Sequence, residues 1–209
     1  MPLDLSPLLV PATTALLLVD LQHGLLGPAE RQNYGPDVVE EMIANAERLA
    51  RTARALGMPV VHCTKVERAD GAGASVNTPL WRRRHRSGAE RLVVGSAGAA
   101  VLAPLGPEAS DLVVPRSRGA SPFTGTELDP VLRNLGVKTL VVSGVSLNVG
   151  VLTTCTEGVS RGYEIVVASD AVAGIPHEYG RSVLQHSLRP MAVISTADEV
   201  CSAWTSSVA

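Results

Sequence analysis

The chain has 209 residues, a formal net charge of −2, 45% hydrophobic residues and only 3% aromatic ones. That length suits one domain, spanning 1–209, with a substantial core built mainly from Val, Leu and Ala. The near-neutral charge excludes the concentrated basic surface of a nucleic-acid binder, and no apolar run approaches the roughly 20 residues that span a bilayer.

Along the chain, apolar runs alternate with helical patterns, the signature of a parallel sheet covered on both faces. MPLDLSPLLVPATT opens the chain without the basic and long apolar stretches of a signal peptide, so a cytoplasmic protein is expected. The first strand is Ala15-Leu16-Leu17-Leu18-Val19, ending in Asp20. After Gly35-Pro36, the residues Val39, Met42, Ile43, Ala46, Leu49, Ala50, Ala53 and Leu56 keep the spacing of one buried helix face. Gly57 and Pro59 end that helix, and a second strand runs from Pro59 to Cys63. Residues 67–110 are rich in Gly, Ala, Ser and Arg and read as an irregular lid or insertion with a short helix at best.

Regular alternation returns at Asp111-Leu112-Val113-Val114, a third strand. Thr126 caps a helix with the face Leu128, Val131, Leu132 and Leu135, closed by Gly136. Strands at 139–142, 164–168 and 192–195 follow, with helices at about 147–161, 178–189 and 197–204. The expected fold is α/β: a single doubly wound domain, three-layered, with a six-stranded parallel sheet.

Three cysteines, Cys63, Cys155 and Cys201, lie far apart and show no CxxC or Cys/His spacing. Free thiols are expected, without a disulfide framework or structural metal. In a doubly wound sheet, ligands bind outside the carboxyl ends of the strands where strand order reverses. That rule selects Asp20, Cys63 to Lys65, Arg116 and the Gly144–Gly150 turn. Asp20 sits at such an end, as a candidate general acid or base or simply as a turn former. Val142-Ser143-Gly144-Val145-Ser146-Leu147-Asn148-Val149-Gly150-Val151 takes a strand through a turn into a helix, whose free N–H groups suit an oxyanion or anion.

With these pieces in order, the chain resembles the isochorismatase-like superfamily, also called the cysteine hydrolases. The matching segments are LLLVDLQHG (16–24), SPFTGTELDPVLRNLGVKTLVVSGVSLNVGVLTT (121–154) and RGYEIVVASDAVAG (161–174). The resemblance covers nearly the whole chain apart from the 67–110 region. It implies a triad of Asp, Lys and Cys, of which the Asp is Asp20. It further implies a pocket lined by Gln22, a non-proline cis peptide at Val145–Ser146, and pocket positions at Ser146 and Phe123.

Two departures accompany the match. The nucleophile position is Gly150, which has no side chain to attack with. The Lys position falls on Arg116, with Arg118 the alternative because the spacing to Phe123 is one residue longer. Arginine keeps the charge but does not exchange a proton at neutral pH; it could hold a carboxylate bidentately or keep Asp20 ionised. Cys155 is about 140° further round the helix and should face away, whereas Cys63 could edge the pocket. Nicotinamidase-like relatives bind zinc through an Asp-x-His, and none of the five histidines here stands in one; no metal and no cofactor are expected. Trp81, Arg82, Arg83, Arg84, His85 and Arg86 read either as a lid offering charge to an anionic substrate or as a solvated face or subunit contact.

The resemblance implies a hydrolase acting without a covalent intermediate. Asp20 would serve as general acid/base, Arg116 would fix a substrate carboxylate, and backbone N–H groups near Gly150 would line the pocket of a small-molecule substrate with vinyl-ether-type cleavage. The alternatives are a catalytically inactive member retained for binding or assembly, and a C–N amide hydrolase with a displaced cysteine. Isochorismatase-like proteins are commonly homo-oligomers, and a dimer or higher assembly is expected, with no nucleic-acid or membrane partner.

Overall fold

The computed structural model describes residues 5–87 and 91–207. Its strands are β1 (Thr14–Val19), β2 (Val60–Lys65), β3 (Leu112–Arg116), β4 (Thr139–Val145), β5 (Glu164–Ala173) and β6 (Val193–Ser195). They form one sheet in the order β3-β2-β1-β4-β5-β6, and every neighbouring pair is parallel. The helices are α1 (Pro28–Tyr34), α2 (Pro36–Ala55), α3 (Pro79–Arg86), α4 (Leu128–Asn134), α5 (Leu152–Ser160), α6 (His177–Ser182) and α7 (Ala197–Ser206). A wide π-helical turn, Leu147–Val151, leads into α5, and another, Val183–Leu188, continues α6.

The apolar runs become strands because side chains alternate between two buried faces. Leu16, Leu18, Val60, Val141 and Val166 enter one core cluster with the buried face of α2 and with Val200 and Trp204 of α7. Ala15, Leu17, Val19, Val61, Leu140 and Val142 enter the other, with Leu128 and Leu132 of α4 and Cys155 of α5. The result is the three-layer α/β/α arrangement expected from the sequence. Pro36 opens α2 at its first turn, and Thr196 and Glu199 close a reciprocal capping box on α7.

β2, β3, β4 and β5 all run past the ends expected from their apolar stretches, to Lys65, Arg116, Val145 and Ala173. Most of the added residues are polar or small, and pairing with neighbouring strands, such as that of Lys65 with Arg116, keeps them extended. α1 was not expected from periodicity; only Tyr34 of its residues is buried. Thr126 does not itself open α4, which begins after Glu127, but its Oγ1 accepts the Leu128 N–H at 3.2 Å.

The 67–110 region holds α3, a short turn of helix at Ala103–Leu105, and two isolated bridges, Gln22 with Val101 and Glu67 with Val93. These tie it across the carboxyl ends of β1 and β2. The chain runs outward from β1 through β2 to β3, then returns to β4 on the other side of β1. Strand order therefore reverses between β1 and β4, and the crevice opens there.

Candidate active site

Asp20 follows β1 with φ +58°, the left-handed region that Asp tolerates better than most side chains. Its N–H donates to the Cys63 carbonyl and its own carbonyl accepts the Gln22 N–H, each at 2.9 Å. This tight turn aims the carboxylate across the strand ends. Arg116, the last residue of β3, reaches over the end of β2 and grips it: Nη1 donates to Oδ1 at 2.7 Å and Nη2 to Oδ2 at 2.6 Å. Both side chains are buried, Arg116 to 2% and Asp20 to 7% exposure. A bidentate Arg–carboxylate pair in such surroundings is strong and geometrically fixed. Both terminal nitrogens of Arg116 are engaged by Asp20, the second of the two roles the sequence allowed, and its fork is not turned to a substrate carboxylate.

Lys65 ends β2, in register with Arg116. Its backbone is held by Gln22, whose Oε1 accepts the Lys65 N–H at 2.7 Å and whose Nε2 donates to the Lys65 carbonyl at 2.9 Å. The same Nε2 donates to the Ala99 carbonyl at 2.7 Å. Gln22 is thus a brace joining three segments. The Lys65 ammonium lies 3.1 Å from the centre of the Trp81 ring, a cation–π contact. Burial, and then the neighbouring Arg116 charge, push its pKa down to about 8.

On the other side of β1, Gly144 at φ +120° permits a close crossing: a Cβ there would lie 2.1 Å from the Val19 carbonyl oxygen. The Val145–Ser146 peptide is cis. Ser146 Oγ donates to Asn148 Oδ1 at 2.6 Å, and Asn148 holds both backbone groups of Ile175, accepting its N–H at 3.0 Å and donating to its carbonyl at 3.1 Å. Gly150 lies in the wide turn before α5. A Cβ on it would stand 3.3 Å from Asp20 Oδ2, so any side chain at 150 would meet the carboxylate.

These elements enclose a cavity of about 330 Å³, with Asp20, Arg116 and Gly150 at its floor and Tyr34, Trp81 and Val149 among its walls. Val145 and Ser146 line it as well. Tyr34 bonds Ser146, and burial raises its pKa, so it is a neutral phenol at physiological pH. Of the basic run, Arg84 faces this cavity and donates to the Gly24 carbonyl at 2.9 Å; Arg82, Arg83, His85 and Arg86 are exposed.

Other sequence-selected residues lie elsewhere. Arg118 is exposed beyond β3, and Arg116 alone of the two pairs with Asp20. Gln22 is buried as the brace. Phe123 is buried in the core, stacked on Tyr163 with ring centres 6.0 Å apart. Cys63 lies fully buried in the sheet core rather than at a pocket edge, and burial pushes its thiol up to about 12; Cys155 is also in the core, with its thiol pushed up to about 12. Among the described residues lining the cavity there is no cysteine. Nor do three His, Cys, Asp or Glu side chains among the described residues converge as a metal site.

Tyr34 and the stacking of Lys65 on Trp81 were missed from the sequence. Lys65 was marked only by its position at a strand end, and Gly27-Pro28 was the available signal for the helix carrying Tyr34.

A six-stranded parallel sheet in this order, with a carboxylate in the crevice at its switch point, defines a three-layer, doubly wound α/β protein with its site at the strand ends. The chain belongs to the isochorismatase family, whose domain matches residues 14–199. It is 30% identical over 200 residues to the uncharacterized isochorismatase family protein YecD of Escherichia coli O157:H7, covering 91% of this chain and 96% of that protein. It is 34% identical over 179 residues to the ureidoacrylate amidohydrolase RutB of Methylobacterium radiotolerans, covering 77% and 67% respectively. Among solved structures, a cysteine hydrolase from Pseudomonas syringae pv. phaseolicola 1448A superposes with a TM-score of 0.83 at 25% identity, covering 94% of each chain. The chain is therefore an isochorismatase-family hydrolase.

Proposed function

We propose that this hydrolase works without a covalent intermediate, with Asp20 as the proton carrier and water as the nucleophile, on a small anionic substrate. The observation that carries this reading is that Gly150, which has no side chain, lines the cavity beside Asp20, its Cβ position 3.3 Å from Asp20 Oδ2. A water or a reacting carbon in the cavity can reach the carboxylate, and no thiol among the described lining residues competes for it.

The bond we assign is a vinyl ether. Asp20 gives a proton to the terminal alkene carbon, leaving an oxocarbenium ion at the ether carbon. Water adds to that carbon and its proton returns to Asp20. The resulting hemiketal loses the alkoxy group as an alcohol, and a carboxylate-bearing vinyl ether yields pyruvate. Arg116 keeps Asp20 in place through the cycle, Arg84 meets the substrate's negative charge, and the apolar walls take its carbon body.

A second reading, a binding protein without turnover, is favoured by one observation: the Asp20–Arg116 pair is closed on itself, at 2.7 and 2.6 Å. The deciding experiment assays isochorismate, ureidoacrylate and a panel of small amides with the wild type and Asp20→Asn. Asn keeps the left-handed backbone of position 20 while removing the exchangeable proton. Pyruvate release that disappears in Asp20→Asn, with the fold intact by circular dichroism, upholds the assignment. Amide cleavage that depends on Asp20 would reassign the bond, and silence across the panel with an intact fold would favour binding.

A further inference from the structure

A second cavity, of about 320 Å³, adjoins the first. Trp81 and Arg84 line both, so these two side chains of α3 form the partition. At roughly 30 Å³ per water, the space holds about ten waters, ample for a small anion.

Most charge around this cavity is already matched. Arg91 donates to Glu67 at 3.0 Å and to the carbonyls of Ala69 at 2.7 Å and Arg68 at 2.9 Å. Asp70 is paired with Arg68 at 2.7 Å. Lys65 differs. It is 9% exposed, and among the described residues no carboxylate lies within ion-pair distance of its ammonium; the group rests on the Trp81 ring alone. Its in-register neighbour Arg116 is another cation, and Asp20 is taken by Arg116. A buried ammonium on the lining of a cavity, with a guanidinium as its strand neighbour, is a charge awaiting a partner.

We propose that the second cavity is an anion subsite in which Lys65, with Arg84 at the partition, binds a carboxylate or phosphate group. The group is either the far end of a ligand whose body lies in the first cavity or a separate small anion. The subsite does not depend on the hydrolytic chemistry proposed above. It is tested by binding alone.

The test is calorimetric titration of the purified chain at low ionic strength with inorganic phosphate, malonate and the longer dicarboxylate suberate. Trp81 fluorescence serves as a second readout. Wild type is compared with Lys65→Met, which keeps the stem on the ring, with Lys65→Arg, which keeps the charge, and with Ile175→Phe, which narrows only the first cavity. The expected result is saturable binding that weakens tenfold or more in Lys65→Met and is largely kept in Lys65→Arg. Suberate binding tighter than malonate, with the gain lost in Ile175→Phe, identifies the end of a spanning ligand. Equal affinities indifferent to Ile175→Phe identify a separate anion. No saturable binding to the wild type, or equal binding to Lys65→Met, would overturn the proposal.

Discussion

Arg116 and Lys65 stand side by side at the ends of paired strands, yet among the described residues only Arg116 has a carboxylate. The pair it forms with Asp20 spans three neighbouring strands and is buried at both ends. Removing one member of such a pair leaves the other charge unmatched, so Arg116→Met should destabilise the fold by about 3–5 kcal/mol. Arg116→Lys, which keeps the charge but not the two-pronged grip, should cost less. Denaturant titration of the three proteins measures both.

Two glycines of the site differ in what they exclude. At Gly144 an added Cβ meets the Val19 carbonyl oxygen at 2.1 Å, whereas at Gly150 the nearest atom, the Val145 carbonyl oxygen, is at 2.9 Å. Gly144→Ala should therefore abolish folding or cost more than about 4 kcal/mol. Gly150→Ala should cost less than Gly144→Ala, though the Val145 backbone carbonyl must shift to admit it, and should narrow the cavity, read as a lower melting temperature and weaker ligand binding.

Thiol labelling of the native chain should modify Cys201 alone. Cys63 and Cys155 are completely buried and their thiols are pushed up to about 12, while Cys201 is half-buried. Reagent uptake counted by mass before and after unfolding gives the answer. Rapid labelling of Cys63 in the native state, with substrate protection, would instead revive a displaced-thiol mechanism.

Acid should weaken the fold first through His62. This imidazole is buried, with Nε2 at 2.9 Å from Asp111 Oδ2 and with Arg54 paired to the same carboxylate at 2.6 Å. Burial lowers the His62 pKa, outweighing the attraction of Asp111, and Arg54 lowers it further. The unfolded chain then binds a proton near pH 6.5 that the folded chain refuses. Stability is full above that pH and declines as pH falls through the range down to the folded value. In His62→Gln this step should vanish from the stability–pH curve, leaving the decline due to Asp111 at lower pH, where Arg54 holds that carboxyl down against its burial.

The sheet and its layers were legible because strands buried on both faces leave continuous apolar runs, as in Leu16 to Val19. Asp20 was legible by contrast, a charge ending such a run. What the runs concealed was where strands stop. Lys65 and Arg116 extend the ladder because a neighbour pairs with them, which no single-segment pattern records. Arg116 was visible as a cation in the right place. Its engagement with Asp20 was not, since that depends on two strands ending at the same height with β2 between them. Tyr34 and Trp81 enter the site from short helices whose sequences carry too little periodicity to announce a buried face.

Gln22 carries one more consequence, for the order in which the chain assembles. Its amide joins residues 43 and 77 positions away, so these bonds form only after β2 has docked on β1 and the segment reaching Ala99 has folded back. Contacts between distant parts of a chain form late, since loop closure must precede them. Trp204 is buried in the core, and among the described residues its indole nitrogen has no partner, so Trp204→Phe leaves Trp81 as the sole indole reporter at little expense in hydrogen bonding. In that background, recovery of Trp81 fluorescence should lag behind the return of far-ultraviolet circular dichroism on refolding. A newly made chain would then possess its secondary structure before it possesses a pocket.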